Sequence, residues 1–129
     1  MDQIQIVATE DAPAAIGPYS QAVVAGGVVY ASGQIPLDPR TGEVERGDVG
    51  AQTHLVFRNL RAVLQAAGSD LNHVLRCTVY LADMDDFGTV NGIYAEYFGN
   101  HRPARATVEA GGLPKGVGVE IDAIALQAR

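Results

Sequence analysis

One cysteine, one lysine and no apolar run near the length of a membrane span distinguish this chain first by what it lacks. Cys77 has no second thiol to pair with, which excludes an internal disulfide framework and fits a reducing compartment. No window approaches 18 consecutive apolar residues, and the acidic start Met1-Asp2-Gln3 lacks the basic and apolar regions of a secretory signal. A cytoplasmic protein with no membrane partner is therefore expected. Lys115 is the sole lysine, and 9 Lys+Arg stand against 15 Asp+Glu, for a formal charge of -6. Without a Lys/Arg cluster to neutralise phosphates, binding to DNA or to an anionic membrane is not expected. A small anionic metabolite needs only one well-placed arginine and stays open. There is no GxGxxG, P-loop, HExxH or GxSxG, and His54, His73 and His101 have no metal-ligand spacing, so neither a metal nor a cofactor is expected.

What is present is ample apolar material: 129 residues, 47% of them hydrophobic, are enough to fold without a covalent staple. One domain over residues 1–129 is expected. Gln3 to Val7 suits a short strand, and Ala12 to Ser20, with two prolines and a glycine, an ordered loop. Gln21 to Ala25 and Val28 to Ser32 are apolar runs joined by Gly26-Gly27, a pair that tolerates positive φ and closes a hairpin. Val56, Leu60, Val63, Leu64 and Ala67 form a helical stripe, with Asp48 placed as N-cap and Gly68 at C′. From His73 to Ala82 residues alternate, with Cys77, Val79 and Leu81 on one face and Arg76, Thr78 and Tyr80 on the other.

A second helix should start in the acidic cluster Asp83, Asp85, Asp86 and end at Gly99, its apolar face made by Phe87, Val90, Tyr94, Tyr97 and Phe98. Two β-rich runs, Arg105 to Ala110 and Val117 to Gln127, close the pattern. The order is βββαβαββ: an α+β chain with two helices on one face of a mixed sheet. On this pattern Val117, Val119 and Ile121 are strand residues that two helices leave short of cover.

Four polar groups stand where the pattern asks for apolar ones. Arg105 and Thr107 share a strand face, and Glu120 sits within Val117-Gly118-Val119-Glu120-Ile121. A charge in such a run must be paired or must line a cavity, so an Arg105–Glu120 ion pair, a solvated face and a reactive site are all open. Asn91 shares a helical face with Phe87 and Tyr94 and needs a hydrogen-bond partner there. Cys77 reads as a small buried hydrophobe.

Ile16-Gly17-Pro18-Tyr19-Ser20-Gln21, Ser32-Gly33-Gln34-Ile35-Pro36, Thr78-Val79-Tyr80-Leu81 with Asp86-Phe87, Val90-Asn91 with Tyr94, and Pro103-Ala104-Arg105-Ala106-Thr107-Val108 with Leu113-Pro114-Lys115 and Val119-Glu120-Ile121 resemble, in order and spacing, the successive blocks of the Rid family (RidA/YjgF). The resemblance implies a chorismate-mutase-like fold, a homotrimer with sites between subunits, and hydrolytic deamination of reactive 2-imino acids and their enamine tautomers, 2-iminobutanoate and 2-iminopropanoate. It also implies the roles. Arg105 holds the substrate carboxylate and Glu120 places the hydrolytic water. Gly33 contributes a backbone contact, Tyr19 an aromatic wall and Asn91 a polar group near the site. Thr107 stands where many relatives carry cysteine and contacts substrate through its backbone; the segment Gly99 to Arg102, shorter than in many relatives, reshapes one rim. A non-catalytic small-acid-binding or chaperone-like trimer is the alternative. An endoribonuclease or translation inhibitor, also attributed to this family, fits the acidic composition less well.

Overall fold

The computed structural model describes residues 3–128; Met1 and Asp2 of the acidic start, and Arg129, lie outside the described residues. Strands β1 (Gln5–Val7), β2 (Ala22–Ala25), β3 (Val28–Gln34), β4 (Val74–Leu81), β5 (Ala104–Glu109) and β6 (Val119–Leu126) make one sheet in the order β1-β2-β3-β6-β4-β5. Helices α1 (Val49–Ala66) and α2 (Phe87–Phe98) complete the βββαβαββ order that the sequence predicts. The β4–β5 pair is parallel, with α2 as its crossover, and the remaining pairs are antiparallel. The first strand starts at Gln5 rather than Gln3. No described helix is long and apolar enough to cross a membrane.

Local chemistry accounts for the element boundaries. Gly26 and Gly27 have φ of 57° and 78°, the left-handed pair that a two-residue hairpin needs. At the start of α1 the Asp48 carboxylate accepts the Ala51 N–H at 2.9 Å. At its end Ser69 N–H bonds Leu64 O at 2.8 Å and Gly68 N–H bonds Gln65 O at 3.1 Å, a Schellman closure around Gly68 at φ 81°. Asp83 accepts the Asp85 N–H at 2.9 Å and opens the 3₁₀ turn Met84–Asp86 that leads into α2.

Both helices cover the same face of the sheet. Val56, Leu60, Val63 and Leu64 of α1 are fully buried against Val29, Cys77, Val79, Ile121 and Ala125. Phe57, outside the stripe expected from spacing, is at 0% exposure and joins the helices: it stacks on Tyr97 at 4.7 Å and meets Tyr94 and Phe98 edge-on at 5.7 and 5.8 Å. Ile93 is a further buried α2 residue, whereas Phe87, expected inside, is exposed at the N-terminal end of α2, where the core does not reach. The expected lack of cover at Val117, Val119 and Ile121 is also corrected. These three are at 1%, 0% and 0% exposure, because Val119 and Ile121 face the helices and Val117 packs with Ile35 and Leu37 in a smaller cluster.

Several exposed apolar strand residues are on the other face. Register aligns Ile6, Val23, Tyr30 and Ile124 in one row across β1, β2, β3 and β6. Of these Ile6 and Tyr30 are exposed, as are Leu126 and Val108.

Candidate functional site

Arg105 is aligned with Cys77, and Cys77 with Ala123, both buried beneath the helices; its side chain therefore emerges on the helix-covered face at the β5 edge. There α2 receives it. Arg105 Nη1 donates to Asn91 Oδ1 at 2.7 Å, and the guanidinium carbon lies 4.7 Å from the Tyr94 ring centroid and 5.6 Å from that of Phe87. Asn91 thus finds the partner its helical position demands. The ion pairs of the described residues are Arg40–Asp38 and His73–Asp70, so Arg105 is a fixed cation with no carboxylate partner. With Asn91, Tyr94, Ala95, Arg102 and Pro103 it lines a cleft of about 370 Å³. Thr107, aligned with Val79, is on the same face of β5 and half-buried.

Beneath this cleft the Tyr94 hydroxyl is buried without a well-formed hydrogen bond. The Cys77 thiol is its neighbour, and burial pushes that thiol up to about 12, with proximity to Tyr94 and to Arg105 opposing the rise. Cys77 is accordingly a core residue and a poor nucleophile at neutral pH.

Glu120 is on the opposite face. It is aligned with Tyr80, whose side chain points away from the helices, and is half-buried against Gly33. A Cβ on Gly33 would overlap the Glu120 carboxylate, so any larger residue there would displace that side chain. The β3–β6 register shifts between Ala31 and Gln34, so Ser32 and Gly33 together stand opposite Asp122 instead of pairing one to one. Tyr19, Ile16, Ser32, Gly33, Ile35, Pro114 and Glu120 line a second cleft, also about 370 Å³.

Two buried amides set the walls of this second cleft. Gln21 donates to Pro13 O at 2.7 Å and Thr9 O at 3.1 Å and accepts the Thr9 N–H at 2.7 Å, which holds the loop carrying Tyr19. Asn59 of α1 donates to Leu37 O at 2.9 Å and fixes the chain after β3. Burial, and then the nearby Asp122 charge, raise the Glu120 pKa above its usual 4.5. Asp122 itself accepts the Thr78 N–H at 3.1 Å and the Tyr80 hydroxyl at 3.2 Å.

The candidate residues therefore fall into two groups on opposite faces: Arg105, Asn91 and Thr107 at the α2–β5 edge, and Tyr19, Gly33 and Glu120 at the β3–β6 cleft. An Arg105–Glu120 ion pair within the chain is ruled out by this placement, since the sheet lies between them. The sequence reading did not single out Tyr94 as the platform under Arg105, nor Arg102 at the rim, nor Asp122. The i, i+3 spacing of Asn91 and Tyr94 and the alternation of Glu120 with Asp122 were the available signals. A larger cleft of about 520 Å³ beside β1, lined by Ile6, Val7, Ala8, Thr9 and Glu10 among others, has Glu10 as its one carboxylate and no cation. His54, His73 and His101 are half-buried and bonded to Tyr97, Asp70 and Val74 respectively, and no described residues cluster as a metal site.

Residues 9–127 match the family described as endoribonuclease L-PSP. A RutC family protein of Pyrococcus horikoshii is 54% identical over 94% of this chain and 96% of its own length. The 2-iminobutanoate/2-iminopropanoate deaminase of Mus musculus is 50% identical over 95% of this chain and 91% of its own. Escherichia coli TdcF, solved with bound serine, superposes with a TM-score of 0.91 at 42% identity, covering 96% of this chain and 99% of that one. The six-stranded mixed sheet with two helices is the chorismate-mutase-like fold of these structural neighbours. By its matched residues and by relatives spanning nearly its whole length, the chain belongs to the endoribonuclease L-PSP family, the Rid (RidA/YjgF) family that its sequence blocks resemble.

Proposed function

We propose that the protein is a deaminase that hydrolyses 2-iminobutanoate and 2-iminopropanoate, with their enamine tautomers, to 2-oxo acids and ammonium. One observation carries the reading: Arg105 is a guanidinium braced by Asn91 and Tyr94, without a counter-ion among the described residues, lining an open cleft. Its planar fork matches a carboxylate in two-point contact. Asn91 and Tyr94 hold the fork, so the carboxylate it binds fixes the adjacent C2 carbon.

Hydrolysis of C=N then needs a water aimed at C2 and a proton for nitrogen. Glu120 accepts no hydrogen bond from a described side chain, which leaves its carboxylate free to orient that water. As the water oxygen bonds to C2, the C=N π electrons move to nitrogen, and Glu120 takes a proton from the water. Glu120 returns that proton to nitrogen, which gives a neutral carbinolamine. It then takes the carbinolamine hydroxyl proton and passes it to nitrogen as the C–N bond breaks and C–O becomes C=O, and the released ammonia takes a proton from solvent. A pKa raised by burial suits a group that both takes and returns a proton, an effect typically worth about 10² to 10⁴ in rate. Tyr19 supplies an apolar wall, Gly33 permits close approach of backbone, and Thr107 lines the strand beside Arg105. The chemistry requires no metal or cofactor.

Because Arg105 and Glu120 face opposite ways, one substrate meets both only where two copies adjoin. The proposed assembly is a homotrimer of residues 1–129, each copy one domain, with the Arg105 cleft of one against the Glu120 cleft of the next. The exposed row through Ile6 and Tyr30, with Leu126 near it and Val108 at the far edge of the same face, is the apolar surface such an assembly would cover. The acidic charge of -6 gives less support to ribonuclease action, since RNA cleavage still requires phosphate binding. Coupled turnover with a threonine dehydratase tests the proposal: micromolar protein should accelerate 2-oxobutanoate release from fresh 2-iminobutanoate. Binding of 2-oxobutanoate without acceleration would favour the non-catalytic small-acid-binding alternative.

A further inference from the structure

Arg105 is not the only arginine in its cleft. Arg102, three residues earlier and separated from it by Pro103 and Ala104, lines the same cavity of about 370 Å³. The other lining residues are Asn91, Tyr94, Ala95 and Pro103, so two arginines line one cavity with no carboxylate among its walls. Neither takes part in the ion pairs of the described residues, which are Arg40–Asp38 and His73–Asp70. In a chain of formal charge -6 this is a concentrated and uncompensated positive spot.

Arg102 is exposed, and its guanidinium reaches the end of α2. Its Nη1 donates to Gly99 O and, at 3.1 Å, to His101 O, the carbonyls that follow α2. The proline after it limits the backbone that carries it. A guanidinium has five N–H donors, and these contacts occupy one nitrogen, so Nε and Nη2 remain available to a ligand. Placing two like charges around one cavity is unfavourable until an anion enters, and an anion with two charged ends relieves both.

We infer that this cleft takes dicarboxylic 2-imino acids, Arg105 binding the carboxylate next to the imine carbon and Arg102 a second carboxylate at the far end of the side chain. The inference rests on the proposed imino-acid site and specifies its substrate class. Arg102 does not touch the reacting carbon. It acts on binding of ground state and transition state alike, and so on KM rather than kcat.

The test compares chain-matched pairs. Calorimetry would measure binding of 2-oxoglutarate and 2-oxopentanoate, and steady-state assays would follow the corresponding imines, generated from glutamate and norvaline by an amino-acid oxidase. The parent protein should bind the diacid at least about fivefold more tightly, near the upper end of what one partly exposed ion pair gives, and hydrolyse its imine with a correspondingly lower KM. Arg102→Gln should remove that preference by raising KM for the diacid imine more than for the monoacid imine, with kcat for both unchanged. Arg102→Lys, which keeps the charge, should retain part of the preference and provides a second variant if the glutamine protein folds poorly. Equal affinities in the parent, or a diacid preference that survives in a folded Arg102→Gln protein, would overturn the inference while leaving monoacid deamination intact. Absence of both monoacid binding and monoacid imine hydrolysis would instead remove the imino-acid site itself, and this inference with it.

Discussion

The two faces of the sheet are made by the same strands but have different neighbours. On the covered face Val79, Ile121 and Ala125 meet α1, and the aromatic group of Phe57, Tyr94, Tyr97 and Phe98 ties the helices together. Arg105 reaches the edge of that packed layer, so its position is fixed by the core. On the open face Ile6 and Tyr30 remain exposed, and Glu120 is supported by strand β3 and two loops instead of a helix layer. On the proposed reading, one half of the site is built by folding of the chain and the other half is supplied by a second copy. Covered-face substitutions should act first on stability, and open-face substitutions first on association or turnover.

The largest separation should come from Phe57→Ala set against Tyr30→Ser. Loss of the buried ring should cost about 3 to 5 kcal/mol in a denaturant titration, because the packed cluster around it is left with a cavity. Tyr30→Ser should leave the chain folded but lower the mass seen by light scattering from three chains towards one. Next is Glu120→Gln, with turnover reduced about 10² to 10⁴ in coupled assays while binding of 2-oxobutanoate persists. Its stability effect has a definite sign. Burial and Asp122 raise the Glu120 pKa above 4.5, so the native state favours the protonated group. That contribution is complete below the unfolded value and is lost as pH rises through the folded one. The glutamine variant should therefore melt at or above the parent temperature at pH 7, with the difference shrinking on acidification.

Arg105→Lys should reduce kcat/KM by about 10², since charge is kept but the two-point geometry is lost. Unchanged turnover with a lower melting temperature would make Arg105 structural. The smallest effect should be that of Thr107→Cys, within a few-fold of the parent rate, if this position acts through its backbone. A gain of about tenfold or more, worth roughly 1.4 kcal/mol, would show that a thiol contributes.

Much of the fold was legible because local signals agreed with one another. Asp48, Gly68 and the stripe from Val56 to Ala67 bound α1 correctly, and Gly26-Gly27 closes the hairpin. Phe87 was misassigned because helical periodicity says which side a residue is on but not how far the core extends along the helix. Val117, Val119 and Ile121 were expected to lack cover because a strand pattern does not say which of its two faces the helices occupy. The same ambiguity hid the geometry of the site. Alternation placed Arg105 with Thr107, but only the β4 register shows that Arg105 and Glu120 point in opposite directions. Gln21 and Asn59, the amides that hold the loops, carry no periodic signal.

The central claim, that one site is completed by two copies of the chain, is tested most directly by mixing two inactive proteins. Arg105→Lys and Glu120→Gln chains would be unfolded together in equal amounts, refolded, and assayed for deamination of 2-iminobutanoate. In randomly mixed rings each interface needs an intact Arg105 from one chain and an intact Glu120 from its neighbour, so about one quarter of parental activity should return. Activity no greater than the sum of the two separately refolded variants, in mixtures shown to contain hybrid assemblies, would contradict the account.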